Sequence, residues 1–306
     1  MIYTLTINPA IDMNITADDL LLGKVNRTRN AYYSPNGKGI NVSFILKHFN
    51  VNSEIIGFFG GFSGEYIVNS CKEKGFTVHP ISIEETTRIN VFIEVCHSEC
   101  KLVNKGPHVG ISEQEELLEL LSKLEDMEML IISGSLADGI DDLFYEKIMG
   151  ICKTKKTGVI LDISSPRLND LLSYCPYLIK PNDEEIKNIF GWSVIDEASA
   201  VETLKKLYEM GAQNILLTLG DKGSYFYNGK EMYFCEAYPV KLKSSACSGD
   251  AYLGAFLSEW LAEPNNIVSS LKLASAAGAN VAESNGLGDL KNVMKYKEKI
   301  TVRKIL

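Results

Sequence analysis

The chain has 306 residues, 45% of them hydrophobic and 23% charged, with a formal net charge of -8. Such a balance excludes a disordered, collagen-like or disulfide-stapled chain and leaves enough sequence to bury a sizeable core. The acidic surplus speaks against a broad nucleic-acid face, although a few local cations suffice for a small anionic substrate.

The seven cysteines include no Cys-x-x-Cys, and Cys96 and Cys100 are the nearest pair, so they read as small core residues in a reducing compartment. Histidines 48, 79, 97 and 108 are too dispersed to suggest a metal cluster. Met1 to Ile7 lacks the basic start of a signal peptide, and no apolar run nears the ~18 residues of a membrane span. The expected location is cytoplasmic, with neither a membrane nor a nucleic acid as partner.

In chain order, residues about 12–35 read as strands without intervening helices. Asn36-Gly37-Lys38-Gly39-Ile40-Asn41-Val42 follows, leading into an apolar helical pattern that runs to Phe49. Gly61 to Gly64 reads as a turn. Arg88 to Val95 alternates polar and apolar residues as a strand does, and Lys105 to Gly110 is again turn-rich. A helix is expected from Ser112 as N-cap, with Glu115 three residues on and Leu117, Leu121 and Leu124 on one face. Four short apolar runs, 129–132, 158–161, 177–179 and 215–217, read as buried parallel strands. Between the last two lies a helix carrying Val201, Leu204 and Leu207, which stops at Gly211. Strands alternating with helices imply a layered α/β fold with a mostly parallel sheet. The segments 12–35 and 88–105 are too thin to bury cores of their own, so they are expected to form a small β-sheet lid on one domain spanning 1–306.

Four clusters carry chemistry. Glycines flanking Lys38 at a helix start let backbone N–H groups approach an anion, though a plain Gly-rich turn accounts for them too. Lys180-Pro181-Asn182-Asp183-Glu184-Glu185 follows a strand directly, where ligands of open α/β sheets bind. Its Asn and Glu could hold the waters of Mg²⁺, or merely open the next helix. Thr218-Leu219-Gly220-Asp221-Lys222-Gly223 could let backbone approach a nucleotide, or simply turn between two strands. Cys247-Ser248-Gly249-Asp250 ends in a carboxylate at the start of an apolar helix. The functional reading is a base beside an anion hole of helix N–H groups; the bland one is a helix cap.

Taken in this order, the clusters resemble the ribokinase-like sugar kinases of the PfkB family, over essentially the whole chain. The sugar-phosphate branch is the nearest: Thr4-Leu5-Thr6-Ile7-Asn8-Pro9-Ala10-Ile11-Asp12, Thr87-Arg88-Ile89-Asn90-Val91, Gly106-Pro107 and Ser133-Gly134-Ser135-Leu136 resemble 1-phosphofructokinases. Tagatose-6-phosphate kinases share much of the pattern. The resemblance implies a layered α/β/α fold with a small lid, through which many relatives form homodimers. It implies ATP and Mg²⁺ as cofactors and a sugar phosphate as acceptor. Asp250 would be the general base, with the backbone of Cys247, Ser248 and Gly249 as anion hole. Asp12 and Asn41 would orient the sugar beside Gly37 and Gly39. Lys38 and Arg88, with Asn90 and Lys105, would hold the substrate phosphate. Thr218, Gly220, Asp221, Lys222 and Gly223 would line ATP together with Lys180 and Asn280, and Asn182 and Glu185 would serve Mg²⁺ through water.

Three residues depart from that pattern. Cys247 replaces the first Gly before the catalytic Asp, Asn36 the first Gly before Lys38, and Ala251 a Ser. A Cβ at Cys247 where the backbone wants positive φ costs of order 1 kcal/mol; the helix N-terminus can lower its thiol's pKa, but a thiolate would repel ATP phosphate, so the neutral thiol is expected when nucleotide is bound. Asn36 is milder, because Asn tolerates the left-handed region. The expected reaction is ATP-dependent phosphorylation of fructose 1-phosphate to fructose 1,6-bisphosphate. Tagatose-6-phosphate kinase is the alternative enzyme, and a degenerate kinase fold acting as a sugar-phosphate sensor the alternative class. A Rossmann dehydrogenase lacks its Gly-x-Gly-x-x-Gly here.

Overall fold

A computed structural model describes residues 1–95, 98–141 and 143–306; Cys96 and His97 lie outside the described residues. In chain order the first half comprises β1 (Ile2–Thr6), β2 (Ala10–Ala17), β3 (Thr28–Asn36), α1 (Lys38–His48), β4 (Ser53–Gly60), α2 (Gly61–Glu73), β5 (Val78–Ile83), β6 (Ile89–Val95), β7 (Ser98–Leu102) and α3 (Ile111–Lys123). Then follow β8 (Met129–Gly134), α4 (Phe144–Lys155), β9 (Gly158–Ile163), α5 (Leu168–Leu171), β10 (Leu178–Ile179), α6 (Asp183–Phe190), α7 (Glu197–Glu209) and β11 (Ile215–Thr218). The chain closes with β12 (Ser224–Tyr227), β13 (Met232–Cys235), α8 (Ser248–Trp260), α9 (Ile267–Ala282), α10 (Val293–Lys297) and β14 (Val302–Lys304).

Among the described residues ten strands form one sheet in the order β14-β13-β12-β11-β10-β9-β8-β1-β4-β5. From β5 to β11 every neighbouring pair is parallel; β12, β13 and β14 close the far edge antiparallel. The strands expected at 129–132, 158–161, 177–179 and 215–217 are the central β8 to β11. They are apolar throughout because both faces of the sheet are covered. One face packs on α3 to α7 through Leu121, Phe144, Ile148, Ile186 and Leu204. The other packs on α1, α2 and α8 to α10 through Val42, Ile45, Ile67, Phe256, Trp260 and Leu271. The result is the three-layered α/β/α body that the alternating pattern implied.

The second sheet has four strands in the order β3-β2-β6-β7, the two segments expected to form it. Its middle pair, β2 and β6, is parallel, with Asp12 opposite Asn90.

Two local expectations need correction. Gly61 to Gly64 is no turn but the first turn of α2. Its glycines admit close packing: a Cβ on Gly64 would lie 2.8 Å from the carbonyl carbon of Phe59. α3 starts at Ile111 with Gly110 as N-cap, and Ser112 bonds only the neighbouring Glu113. There the buried Gln114 amide reaches back to the carbonyls of Val109 and Gly139, which ties the helix start two residues earlier. The end expected at Gly211 holds: α7 finishes at Glu209 and Gly211 follows with φ 126.

The packing of α1 on α8 positions the chemistry. A Cβ on Gly254 would sit 2.7 Å from Cβ of Ile45, so only glycine allows the two helices to approach this closely. Their N-termini thereby meet at the carboxyl ends of the parallel strands.

Candidate active site

Asp250 lies in the first turn of α8 and is 6% exposed. Asn41, in the first turn of α1, donates from Nδ2 to Asp250 Oδ2 at 2.8 Å. The same nitrogen donates to Asn36 Oδ1 at 2.7 Å and lies 3.4 Å from Cys247 Sγ. Asn36 in turn donates to Asp12 Oδ2, and Asn90 donates to Asp12 Oδ1 at 3.0 Å. A continuous polar chain therefore runs from Asp12 in the small sheet, through Asn36 and Asn41, to Asp250 in the body. Asn36 ends β3, so its tolerance of the left-handed region is not called upon; its amide bridges instead.

Burial dominates the electrostatics. It pushes the Asp250 carboxyl up to about 6, helped by the charge of Asp162 and opposed by Lys38, Asn41 and Lys180. Asp12 also rises by burial, restrained by its bonds to Asn90 and Asn36 and by the charge of Arg88. Cys247, with φ 63 and ψ -7, holds the left-handed conformation as N-cap of α8. The helix dipole does not prevail over burial here. Burial first, then the carboxylates of Asp250 and Asp12, hold this thiol well above its usual range, so it stays protonated without any nucleotide.

Gly37 and Gly39 are explained by docking as much as by ligand. A Cβ on Gly39 would lie 2.6 Å from Thr6 Oγ1, the atom that accepts the Ile40 N–H at 3.1 Å. Lys38 turns toward the sheet, where its Nζ lies 3.6 Å from Asp162 Oδ1. Lys180, 5% exposed at the end of β10, reaches the same oxygen at 3.1 Å. A Cβ placed on Gly249 would find only Lys180 Nζ within 4 Å, at 3.5 Å, so this ammonium sits directly against the start of α8. Ser248 Oγ is buried there without a hydrogen-bond partner among the described residues.

Other expected residues stand further from this centre. Arg88 spends its guanidinium on the carbonyls of Asn8, Pro9 and Asn104, tying together three crossings between the small sheet and the body. Lys105 is largely exposed and pairs with Asp138 at 3.1 Å. Asn182 and Glu185 form a reciprocal capping box on α6, and Glu185 also accepts from Ser164. Each keeps a spare oxygen lone pair, and such hard donors suit Mg²⁺ held through water. Thr218, Gly220, Asp221, Lys222 and Gly223 make the β11–β12 connection; Gly220 has φ 60 and nothing within 4 Å of its missing Cβ. Asn280 braces a loop: it accepts the Asn292 N–H at 3.1 Å and donates to Glu283 at 3.2 Å.

A cavity of about 1160 Å³ opens between the small sheet and the starts of α1 and α8, lined among others by Asp12, Asn14, Asn36, Asn41 and Cys247. Asp162 was missed by motif reasoning. Its one sequence signal is a carboxylate near the end of an otherwise apolar strand, Gly158-Val159-Ile160-Leu161-Asp162.

A family model described as pfkB family carbohydrate kinase matches residues 3–292. The D-tagatose-1-phosphate kinase of Klebsiella oxytoca is 45% identical over 302 residues, 99% of each chain. The 1-phosphofructokinase of Bacillus subtilis (strain 168) is 30% identical over 305 residues, 100% of each chain. Among solved structures, phosphofructokinase-2 from Escherichia coli in complex with substrates and products has a TM-score of 0.88 at 24% identity. The match covers 97% of this chain and 98% of that one, a likeness that speaks for the fold alone. Among the described residues no helix is long and apolar enough to cross a membrane.

Proposed function

The chain belongs to the pfkB family of carbohydrate kinases, and from that premise we propose that it transfers the γ-phosphoryl group of ATP to a hydroxyl of a ketohexose 1-phosphate, giving a 1,6-bisphosphate. The relatives support this acceptor: proteins named for tagatose 1-phosphate are 45% and 38% identical, and 1-phosphofructokinases 30%. Tagatose 1-phosphate and fructose 1-phosphate differ only at C4, and both place the substrate phosphate at the end remote from the hydroxyl to be phosphorylated. Tagatose 6-phosphate shares that separation, so it is the relatives' names that favour the 1-phosphates over it.

The observation that carries the reading is the buried Asp250 at the start of α8, hydrogen-bonded by Asn41 and raised to about 6. A general base works best with its pKa near the operating pH. On this reading Asp250 takes the proton of the attacking hydroxyl, and the first N–H groups of α8, at Cys247, Ser248 and Gly249, receive the transferring phosphoryl. Lys180 adds a positive charge beneath them. Asp12, aimed by Asn36 and Asn90, accepts hydrogen bonds from sugar hydroxyls. Arg88 meets the substrate phosphate, Lys38 adds a second positive charge near Asp250, and the second sheet acts as a lid over the acceptor. The open backbone at 218–223 faces ATP, and Asn182 and Glu185 hold Mg²⁺ through its waters. The metal would offset phosphate charge.

A coupled ADP-release assay with Mg-ATP and a panel of tagatose 1-phosphate, fructose 1-phosphate, tagatose 6-phosphate, fructose 6-phosphate and free fructose tests the proposal. The 1-phosphates should turn over with the highest kcat/KM. A preference for 6-phosphates or for free sugar would overturn the acceptor assignment, and silence across the panel would favour a sensor.

A further inference from the structure

Asp162, next to last in β9, has its carboxylate buried to 1% exposure, and neither oxygen accepts a well-angled hydrogen bond among the described residues. Burying a carboxylate without hydrogen bonds is costly, and it persists only where opposite charge is fixed close by. Two ammonium groups supply that charge, and both meet the same oxygen: Lys180 Nζ at 3.1 Å and Lys38 Nζ at 3.6 Å. They come from different layers of the fold, one from the end of β10 and one from the start of α1. Lys180 also touches the start of α8, where the phosphoryl group would lie.

Asp250 is also within electrostatic reach of both lysines. If either lysine paired with it directly, the base would be neutralised and the phosphoryl would lose a cation. We propose that Asp162 is a positioning residue for phosphoryl transfer, holding the Lys38 and Lys180 ammonium groups in place and off the Asp250 carboxylate. The inference rests on the kinase reading above for its consequence, but not for its geometry.

The charged and titratable groups facing Asp250 are Lys38 on α1, Asp162 on β9, Lys180 after β10 and the Cys247 thiol at the α8 N-cap. Removing the Asp162 charge and releasing the two lysines act in the same direction. Both favour the ionised form of Asp250, so its titration must move to lower pH.

The experiment uses protein labelled with ¹³C at aspartate carboxyls, with the Asp250 signal assigned by its loss in Asp250→Asn. In the wild type it should titrate with a midpoint of about 6. In Asp162→Asn the midpoint should fall by about one pH unit or more, and kcat should fall at least tenfold because the cations are displaced. An unchanged or raised midpoint overturns the inference; loss of the Asp162 charge alone also lowers it, so positioning itself is decided by kcat in a variant that keeps the charge. Asp162→Glu guards against a variant that fails to fold with an unpaired buried lysine. It keeps the charge and still pairs both lysines but holds them a methylene further out, so kcat should drop about tenfold or more while the Asp250 midpoint, with the same charges still near it, stays about where it was. Wild-type kcat in Asp162→Glu would equally overturn positioning. The titration needs no substrate, so failure of this inference is separable from failure of the kinase reading, which turnover of the wild type decides.

Discussion

Replacing Asp250 by Asn should make the protein more stable and nearly inactive, and both effects follow from its burial. Asparagine has the same shape, and its amide can turn its oxygen toward Asn41 Nδ2, so the 2.8 Å hydrogen bond has a counterpart in the variant. What disappears is a negative charge held where water does not reach. The wild-type carboxyl is raised from 3.8 to about 6. In the unfolded chain it ionises near its ordinary value, so between these two pH values the folded state binds more protons and wild-type stability falls as pH rises. Below the unfolded value the penalty vanishes; above about 6 it is complete, at roughly 3 kcal/mol from 1.36 kcal/mol per pH unit. Asp250→Asn carries no such penalty. Urea unfolding of both proteins should therefore give the variant an advantage of about 1 kcal/mol at pH 4.5, widening to about 3 kcal/mol at pH 7. Other titrating groups are common to both proteins and cancel in the difference. The kinase assay should show kcat lower by roughly 10²–10⁴, the usual worth of a general base. A stability difference that does not widen with pH would refute the buried-charge argument, and turnover within a few-fold of wild type would refute the base assignment.

Arg88→Ala should raise KM for the sugar phosphate about 10- to 100-fold, the worth of one charged hydrogen-bonding partner, with little change in KM for ATP; equal losses for both would place this cation at the wrong end of the cleft. Cys247→Gly should leave stability within about 1 kcal/mol, because relief at φ 63 offsets the lost thiol packing, and should raise kcat modestly; alkylation of Cys247 should be slow and slowed further by Mg-ATP, and rapid alkylation indifferent to Mg-ATP would remove this residue from the phosphate path. The second sheet exposes Tyr32 and Tyr33 on β3 and Leu21, Leu22 and Val25 in the β2–β3 connection. Tyr32 and Tyr33 are neighbours and point to opposite faces, so the exposed apolar surface lies along the sheet's edge and this connection; a second copy should cover it, and light scattering at micromolar protein should give a homodimer, which a stable monomer would contradict.

The order of strand-end motifs was legible because a parallel sheet brings every carboxyl strand end to one edge, whatever the sequence distance between them. Asp12, Asn41 and Asp250 are far apart in the chain, yet each opens or precedes an element that starts at that edge. Asp162 was not legible in the same way. An Asp near the end of an apolar strand carries no spacing signature, and its importance comes from Lys38 and Lys180, which only the fold delivers to it. Nor does a motif tell which polar side chains are already committed. Lys105 has taken Asp138, Asn280 has taken Asn292 and Glu283, and Arg88 has taken three carbonyls, so each meets a ligand only by exchanging or extending those bonds.

The departures at Asn36 and Cys247 looked unrelated in sequence, yet the fold makes them neighbours of one nitrogen. Asn41 Nδ2 carries two hydrogens and faces three acceptors: Asn36 Oδ1 at 2.7 Å, Asp250 Oδ2 at 2.8 Å and Cys247 Sγ at 3.4 Å. The two short bonds use both hydrogens, and sulfur is a weak third acceptor. Cys247 is therefore the dispensable member of the trio. Asn36 is not dispensable, for its amide alone connects Asn41 to Asp12 and fixes which way the Asn41 nitrogen points. A glycine at 36 would free one hydrogen of Asn41 for Cys247 and leave Asp12 Oδ2 without its donor. Asn36 thus links Asp12 to Asn41 whether or not a side chain stands at Cys247, and the polar pocket the two share is where this chain differs from the family pattern.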